Sequence, residues 1–211
     1  MEAGLELFGT VGYTRTSIRA VSAAASLNSR YFYESFSDRE DLLYSVYQRI
    51  VGDIFTKAAE AVARENTIEA QARAGLRAGW TAVTEDRRKA RVVALEVVGV
   101  SERLERLRRE TRHALAQLTA DQALRLAGDI QLRLDPVLVA RFLMGGVVEL
   151  LLDWINGDLD KPADEVVEHF TALFSAAAYA AVAGEADRPP PENPEKPEEP
   201  GEPEEQSLSS T

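Results

Sequence analysis

Apolar residues along most of the chain recur at intervals of three and four, and sustained alternation of apolar and polar positions is missing. That period predicts an all-α protein. From Ser101 to Leu118 the stretch is amphipathic: Leu104, Leu107, Thr111, Leu115 and Leu118 fall on one face, and Glu102, Glu105, Arg108, Arg109 and Arg112 on others. Such a helix packs one side and wets the other. Asp135-Pro136 predicts the next helix start, with proline in its first turn. This helix runs through VLVARFLMGGVVELLLDWI to a C-cap signal at Asn156-Gly157, and a last helix is expected over 162–183. Both are unusually apolar, and the small pair Gly145-Gly146 and the alanines after His169 permit close helix contact. Two readings stay open for them, the interior of a single bundle or a subunit interface resembling a core cut in half.

The N-terminal segment predicts two short helices joined by a tight turn. Thr16 or Ser17 caps a helix through IRAVSAAA, Ser26-Leu27 breaks it, and Asn28 caps a second one ending near Ser37. This is the plan of a helix-turn-helix unit. On the second helix Phe32 and Phe36 share an inward face with Leu27 nearby, toward Ile18 and Val21. Arg30 and Glu34 fall on the opposite side, flanked by Tyr31 and Tyr33. A capped, outward face with one arginine and two tyrosines suits a major groove, where arginine addresses guanine and hydroxyls reach phosphate. The bland reading beside it is an Arg30–Glu34 pair of small energetic weight.

Charge complicates this picture before it supports it. The net charge of −11 is the wrong sign for a nucleic-acid binder, but residues 184–211, with nine acidic and two basic residues, carry −7 of it. The body therefore carries −4. The proline- and glutamate-rich composition of 184–211 predicts a disordered acidic tail. Residues 1–50 hold five arginines against six carboxylates, so the proposed DNA-binding segment is still not basic. With no cysteine there is no disulfide or thiolate zinc site, and no signal peptide or membrane-spanning stretch is evident, so a cytoplasmic protein is expected. Only His113 and His169 are available as histidines, and GxSxG, P-loop, dinucleotide and HExxH motifs are missing. No catalytic residue, metal site or cofactor is expected.

The run LELFGTVGYTRTSIRAVSAAASLNSRYFYESFSDREDLL resembles the DNA-binding domain of the TetR family of bacterial transcriptional regulators. Leu7-Phe8 with Gly12-Tyr13 resembles the end of that family's first helix, Thr16-Ser17-Ile18-Arg19 the start of the second, and Tyr33 with Phe36 the tyrosine and phenylalanine of its recognition helix. Ser37-Asp38-Arg39-Glu40 with Leu42-Leu43 resembles the start of the fourth helix, and VVELLLDWINGDL a dimerisation helix. The resemblance implies a helix-turn-helix domain over 1–50 and a larger helical effector-binding and dimerisation domain over 51–183. It implies phosphate or base contacts for Thr16, Ser17, Asn28, Ser29, Arg30, Tyr31, Tyr33 and Arg39. An effector pocket is implied in the larger domain, with Trp80, Glu96, Phe142 and Trp154 as candidate lining and ordinary core or interface as the alternative for each.

The expected protein is thus a homodimeric repressor, joined through the helices near 137–156 and 162–183, released from a palindromic operator by an unidentified small molecule. A helical ligand- or protein-binding module without DNA binding is the alternative. Several positions depart from the family pattern. Ser26 stands where a turn glycine is common, Arg30 and Tyr31 where small residues are usual, and Glu34 where a histidine is common. A carboxylate at position 34 either rejects phosphate or reads cytosine. The first helix lacks a turn or two before Ala3-Gly4, which implies that Met1 lies inside a longer reading frame or that the chain is shortened.

Overall fold

The computed structural model describes residues 1–127 and 134–182, and the acidic tail expected over 184–211 lies outside them. Among the described residues every regular element is helical, in the order α1 (Glu2–Thr10), α2 (Ile18–Ala24), α3 (Ser29–Ser35), α4 (Arg39–Ala63), α5 (Ile68–Thr84) and α6 (Arg87–Arg91), a π-helix (Val92–Glu96), then α7 (Glu102–Ala127), α8 (Pro136–Asn156) and α9 (Ala163–Val182). Local chemistry sets most of the starts. Ser17, Asn28, Asp38, Thr67, Asp86 and Asp135 each accept a hydrogen bond from a backbone N–H of the first turn that they cap. Proline follows Asp135 at the head of α8, where its missing N–H costs nothing.

Two main cores hold the helices. The first gathers Leu5, Phe8, Val21, Phe32, Leu42, Leu43, Val46, Tyr47 and Ile50 from α1–α4, and is completed by Val92, Val97 and Leu104 from the π-helix and beyond. Phe8, Leu43, Val92, Val97 and Leu104 are fully buried, each contributing about 1.5–3 kcal/mol of transfer free energy. Val92 and Val97 are five residues apart and would point about 140° from each other on an α-helix. The wider turn of the π-helix brings both into the same core. The second core packs Trp80 and Val83 of α5 with Leu151 and Ile155 of α8 and Val166, Val167 and Phe170 of α9.

Two expected core positions face water instead. Leu118 is exposed because the buried side of α7 rotates along its length, from Leu104 to Ala116 and Ala120, where Ala140 and Val137 of α8 press close. Leu27 is exposed because it follows Ser26, whose φ of 56° swings the chain outward. Serine carries a steric cost in that left-handed region that a glycine would not. The turn is closed by Ser26 N–H donating to Ala23 O and Leu27 N–H to Ser22 O.

Candidate nucleic-acid interface

α3 is seven residues long and cannot hold itself in place. Its inward side supplies the anchor: Phe32 is buried, with the Phe36 ring 5.6 Å and the Tyr33 ring 5.5 Å from it, centroid to centroid. Asn28 Oδ1 accepts from Arg30 N–H at 3.0 Å and fixes the helix start. The outward side carries Arg30, Tyr31, Tyr33 and Glu34, all exposed, while Ser29 is half-buried. Arg30 Nε lies 3.7 Å from Glu34 Oε1, with the two side chains 86% and 57% exposed. An ion pair so open to solvent contributes a few tenths of a kcal/mol at most, roughly. Fold stability therefore does not account for either residue.

Ser17 caps α2 and stays exposed, its hydroxyl accepting from Ala20 N–H at 3.1 Å. Thr16 does not share that role. It is 1% exposed, and its hydroxyl donates to Gly12 O at 2.8 Å, so the expected DNA contact by its side chain is replaced by a turn-closing bond. Arg39 is likewise engaged within the protein. Its guanidinium lies 4.1 Å from the centre of the Tyr13 ring and donates to Thr16 O at 2.5 Å, bracing the start of α4 against the turn that presents Ser17.

Behind this surface lies a joint that the sequence did not reveal. α6, RRKAR, places its basic residues on different elements. Arg87 donates to the carbonyl of Ile155 at the end of α8 and lies over the Trp154 ring at 5.9 Å. Arg88 donates to Glu6 Oε2 at 2.5 Å and lies 3.4 Å from Glu2 on α1, while Asp86 holds its other side at 2.6 Å. Arg91 pairs with Glu96 at 2.8 Å, and the second oxygen of Glu96 accepts the backbone N–H of Tyr13, also at 2.8 Å. Two glycines permit this approach. Gly9 brings α1 against α6, where a Cβ would sit 2.6 Å from Arg88 Cα, and Gly12 turns at φ 95° directly under Glu96.

The carboxyl of Asp86 is held below its usual 3.8, chiefly by the Arg88 hydrogen bonds. A depressed carboxylate adds stability above its unfolded-state value, and that stability is lost as pH falls through the folded-state value. Asp86→Asn keeps a capping side chain but loses the charge. We expect it to cost about 1–2 kcal/mol at pH 7, from the loss of charge-assisted hydrogen bonds. The gap from wild type should close as pH drops below 3.8, which thermal melts across that range would show.

Of the four residues expected to line an effector pocket, Trp80 and Trp154 share the second core, while Glu96 and Phe142 lie elsewhere. Trp80 is buried edge-on against Phe170 at 5.6 Å in the second core, and Glu96 is occupied at the joint. Phe142 is 77% exposed on α8, and Trp154 is half-buried beneath Arg87. Two clefts flank α1. One of about 190 Å³ is lined by Leu5, Val46, Ile50 and Lys89 among others, and an open one of about 480 Å³ by Glu2, Glu6, Ala24 and Arg88 among others. Among the described residues no cluster of His, Asp or Glu is arranged for a metal ion, and no helix is long and apolar enough to cross a membrane.

Residues 1–46 match the family described as bacterial regulatory proteins, tetR family. No curated protein matches the chain. Among solved structures, the fatty acid degradation regulator FadR of Bacillus halodurans is similar at TM-score 0.73 and 19% identity, over 82% of this chain and 91% of that one. FadR of Bacillus subtilis, solved in complex with stearoyl-CoA, aligns at TM-score 0.74 and 17% identity, over 83% and 96%. A TetR/AcrR regulator of Thermobifida fusca aligns at 0.62 and 21%, over 82% and 92%. At these identities the solved structures speak for the fold, and the match over 1–46 speaks for the head.

Proposed function

We propose that the chain, whose residues 1–46 match the tetR family of bacterial regulatory proteins, is a DNA-binding regulator of that family, a homodimeric repressor released by a small molecule. The observation that carries the reading is α3: a short capped helix held inside by Phe32, with Arg30, Tyr31 and Tyr33 turned to solvent. Aromatic residues so exposed add little to the core, apart from the edge contact of Tyr33 with Phe32, and their hydroxyls suit phosphate oxygens while the guanidinium suits guanine. Residues 1–50 would act as the reading head and 51–183 as the body that binds effector and partner subunit.

Exposed apolar side chains on α8 and α9 support the dimer. Leu138, Phe142 and Leu173 are more than half exposed, and Gly145 and Gly146 leave open space above α8. Large apolar groups over a small-residue step are what a close helix-helix interface needs. A two-fold dimer would set two copies of α3 in successive major grooves, about 34–36 Å apart, on a roughly palindromic operator. An effector that prefers a different head spacing weakens DNA binding by its difference in affinity for the two forms. The ligand of the B. subtilis relative makes long-chain acyl-CoA thioesters the first class to screen.

Mobility shifts with DNA flanking the protein's own gene test the reading. Tyr33→Ala and Arg30→Ala are each expected to weaken binding about tenfold or more, with the fold retained: Arg30→Ala should leave the melting temperature unchanged, and Tyr33→Ala should lower it only slightly through the lost edge contact with Phe32. A wild-type dimer that shifts no duplex would instead favour a helical module that does not bind DNA.

A further inference from the structure

We infer that Arg30 and Glu34 act as one reader of two adjacent G·C base pairs in each half-site, Arg30 taking guanine and Glu34 taking the neighbouring cytosine. The inference rests on the DNA-binding reading and deepens it by naming the sequence that α3 selects. Its starting point is a cost. Glu34 is 57% exposed on the same outward face as Arg30, Tyr31 and Tyr33, so a duplex that meets those side chains also meets a carboxylate. Against the phosphates that carboxylate is repelled, and stripped of water without a donor it opposes binding altogether.

The Arg30 guanidinium at 3.7 Å is a charge neighbour beyond hydrogen-bond reach, and on the DNA a donor exists only on base edges. In the major groove cytosine offers its N4 amino group and adenine its N6 amino group, but adenine places the N7 acceptor beside that amino group, where a second carboxylate oxygen is repelled. Cytosine has no such neighbour, so a carboxylate selects it. Arg30 has the matching preference for the O6 and N7 acceptors of guanine. The spacing fits as well: Arg30 Nε and Glu34 Oε1 are 3.7 Å apart, close to the rise of about 3.4 Å between stacked base pairs. The pair can therefore keep its mutual contact while each member reaches a different base pair. Asn28 and Phe32, which fix the start and depth of α3, hold both head groups in that register.

Selection of bound sequences from a random duplex library, with full-length wild type and Glu34→Gln, tests the pairing. Wild type is expected to enrich half-sites containing two contiguous G·C pairs, and an A·T replacement at either is expected to weaken binding about tenfold. Glutamine can donate as well as accept, so Glu34→Gln should reduce discrimination at the cytosine position to less than about threefold while keeping the guanine preference. The variant should also bind unselected DNA severalfold tighter, since a negative charge has left the interface.

An unchanged cytosine preference in Glu34→Gln, or equal tightening on every sequence, would overturn the inference and leave Glu34 a simple repellent. Wild-type half-sites lacking contiguous G·C pairs would do the same. Those outcomes spare the DNA-binding reading, whereas a protein that enriches no sequence at all removes both.

Discussion

Gly9→Ala is expected to lower the melting temperature by about 10 °C and to abolish most DNA binding, although it adds one methyl group to a helix. Within an isolated α-helix this substitution stabilises by roughly 1 kcal/mol. Here the new Cβ would stand 2.6 Å from Arg88 Cα and 2.9 Å from Arg88 O, which are backbone atoms of α6 and cannot swing aside as a flexible side chain would. Relief requires α1 to move away from α6. That movement would pull Glu2 and Glu6 off Arg88 and open the core around Phe8, which is fully buried one residue away. Overpacking of this kind costs about 1–3 kcal/mol, and the weakened ion pairs place the total near the upper end. About 3 kcal/mol in a chain of this length corresponds to roughly 10 °C. Gly52→Ala on α4 is the control, because nothing lies within 4 Å of its Cβ and only the helix-propensity gain remains. Parallel thermal melts and mobility shifts of the two variants would separate close approach from propensity. Equal melting temperatures for both would show that α1 and α6 are not packed as described.

The contrast between these glycines marks what could be read from the sequence and what could not. Cap residues act over three or four positions, so Ser17, Asn28 and Asp135 announce their helices in the sequence, and α3, α8 and α9 begin within a residue or so of their expected places. The inward placement of Phe32 followed from helical period alone, since the partner surface adjoins in sequence. Contacts between distant segments have no such local sign. Thr16 and Ser17 are equivalent as capping residues, but Thr16 closes the Gly12 turn and its carbonyl is held by Arg39, 23 residues further on. Glu96 is expected to line an effector pocket, yet its partner is a backbone N–H 83 residues earlier in the chain. The π-helix that turns Glu96 toward that partner has no sequence mark here. Leu118 was misplaced for a related reason: period assigns a face to a helix, but α7 changes its packing partner along its length, and the buried face turns with it.

Glu96→Ala is expected to uncouple the head from the body, costing about 3 kcal/mol of stability and about tenfold in DNA affinity. Glu96 is 12% exposed as a side chain and satisfies two groups at once, the Arg91 guanidinium and the Tyr13 N–H. Its removal strands a partly buried cation whose Nε already lacks a protein partner, and leaves an amide donor unpaired. Breaking a buried pair by deleting one member costs about 3–5 kcal/mol, and the partial exposure of Arg91 argues for the lower bound. The affinity loss has a separate origin. Tyr13 stands in the turn between α1 and α2 and also supports Arg39, which braces the α2 start, so releasing it frees the mounting of the reading helices. If only about a tenth of the molecules then hold the head in its binding geometry, apparent affinity falls by the same factor. Glu96→Gln separates the two effects. Its amide oxygen still accepts the Tyr13 N–H while its NH2 now faces the Arg91 guanidinium donor to donor, so stability should drop nearly as far as in Glu96→Ala, with DNA affinity within about twofold of wild type. Titrating both variants against the same operator fragment, beside thermal melts, makes the distinction. A Glu96→Ala protein that melts early but binds DNA as wild type does would mean that this carboxylate only supports the fold, and that the head is aimed by the remaining grip of Arg88 on α1.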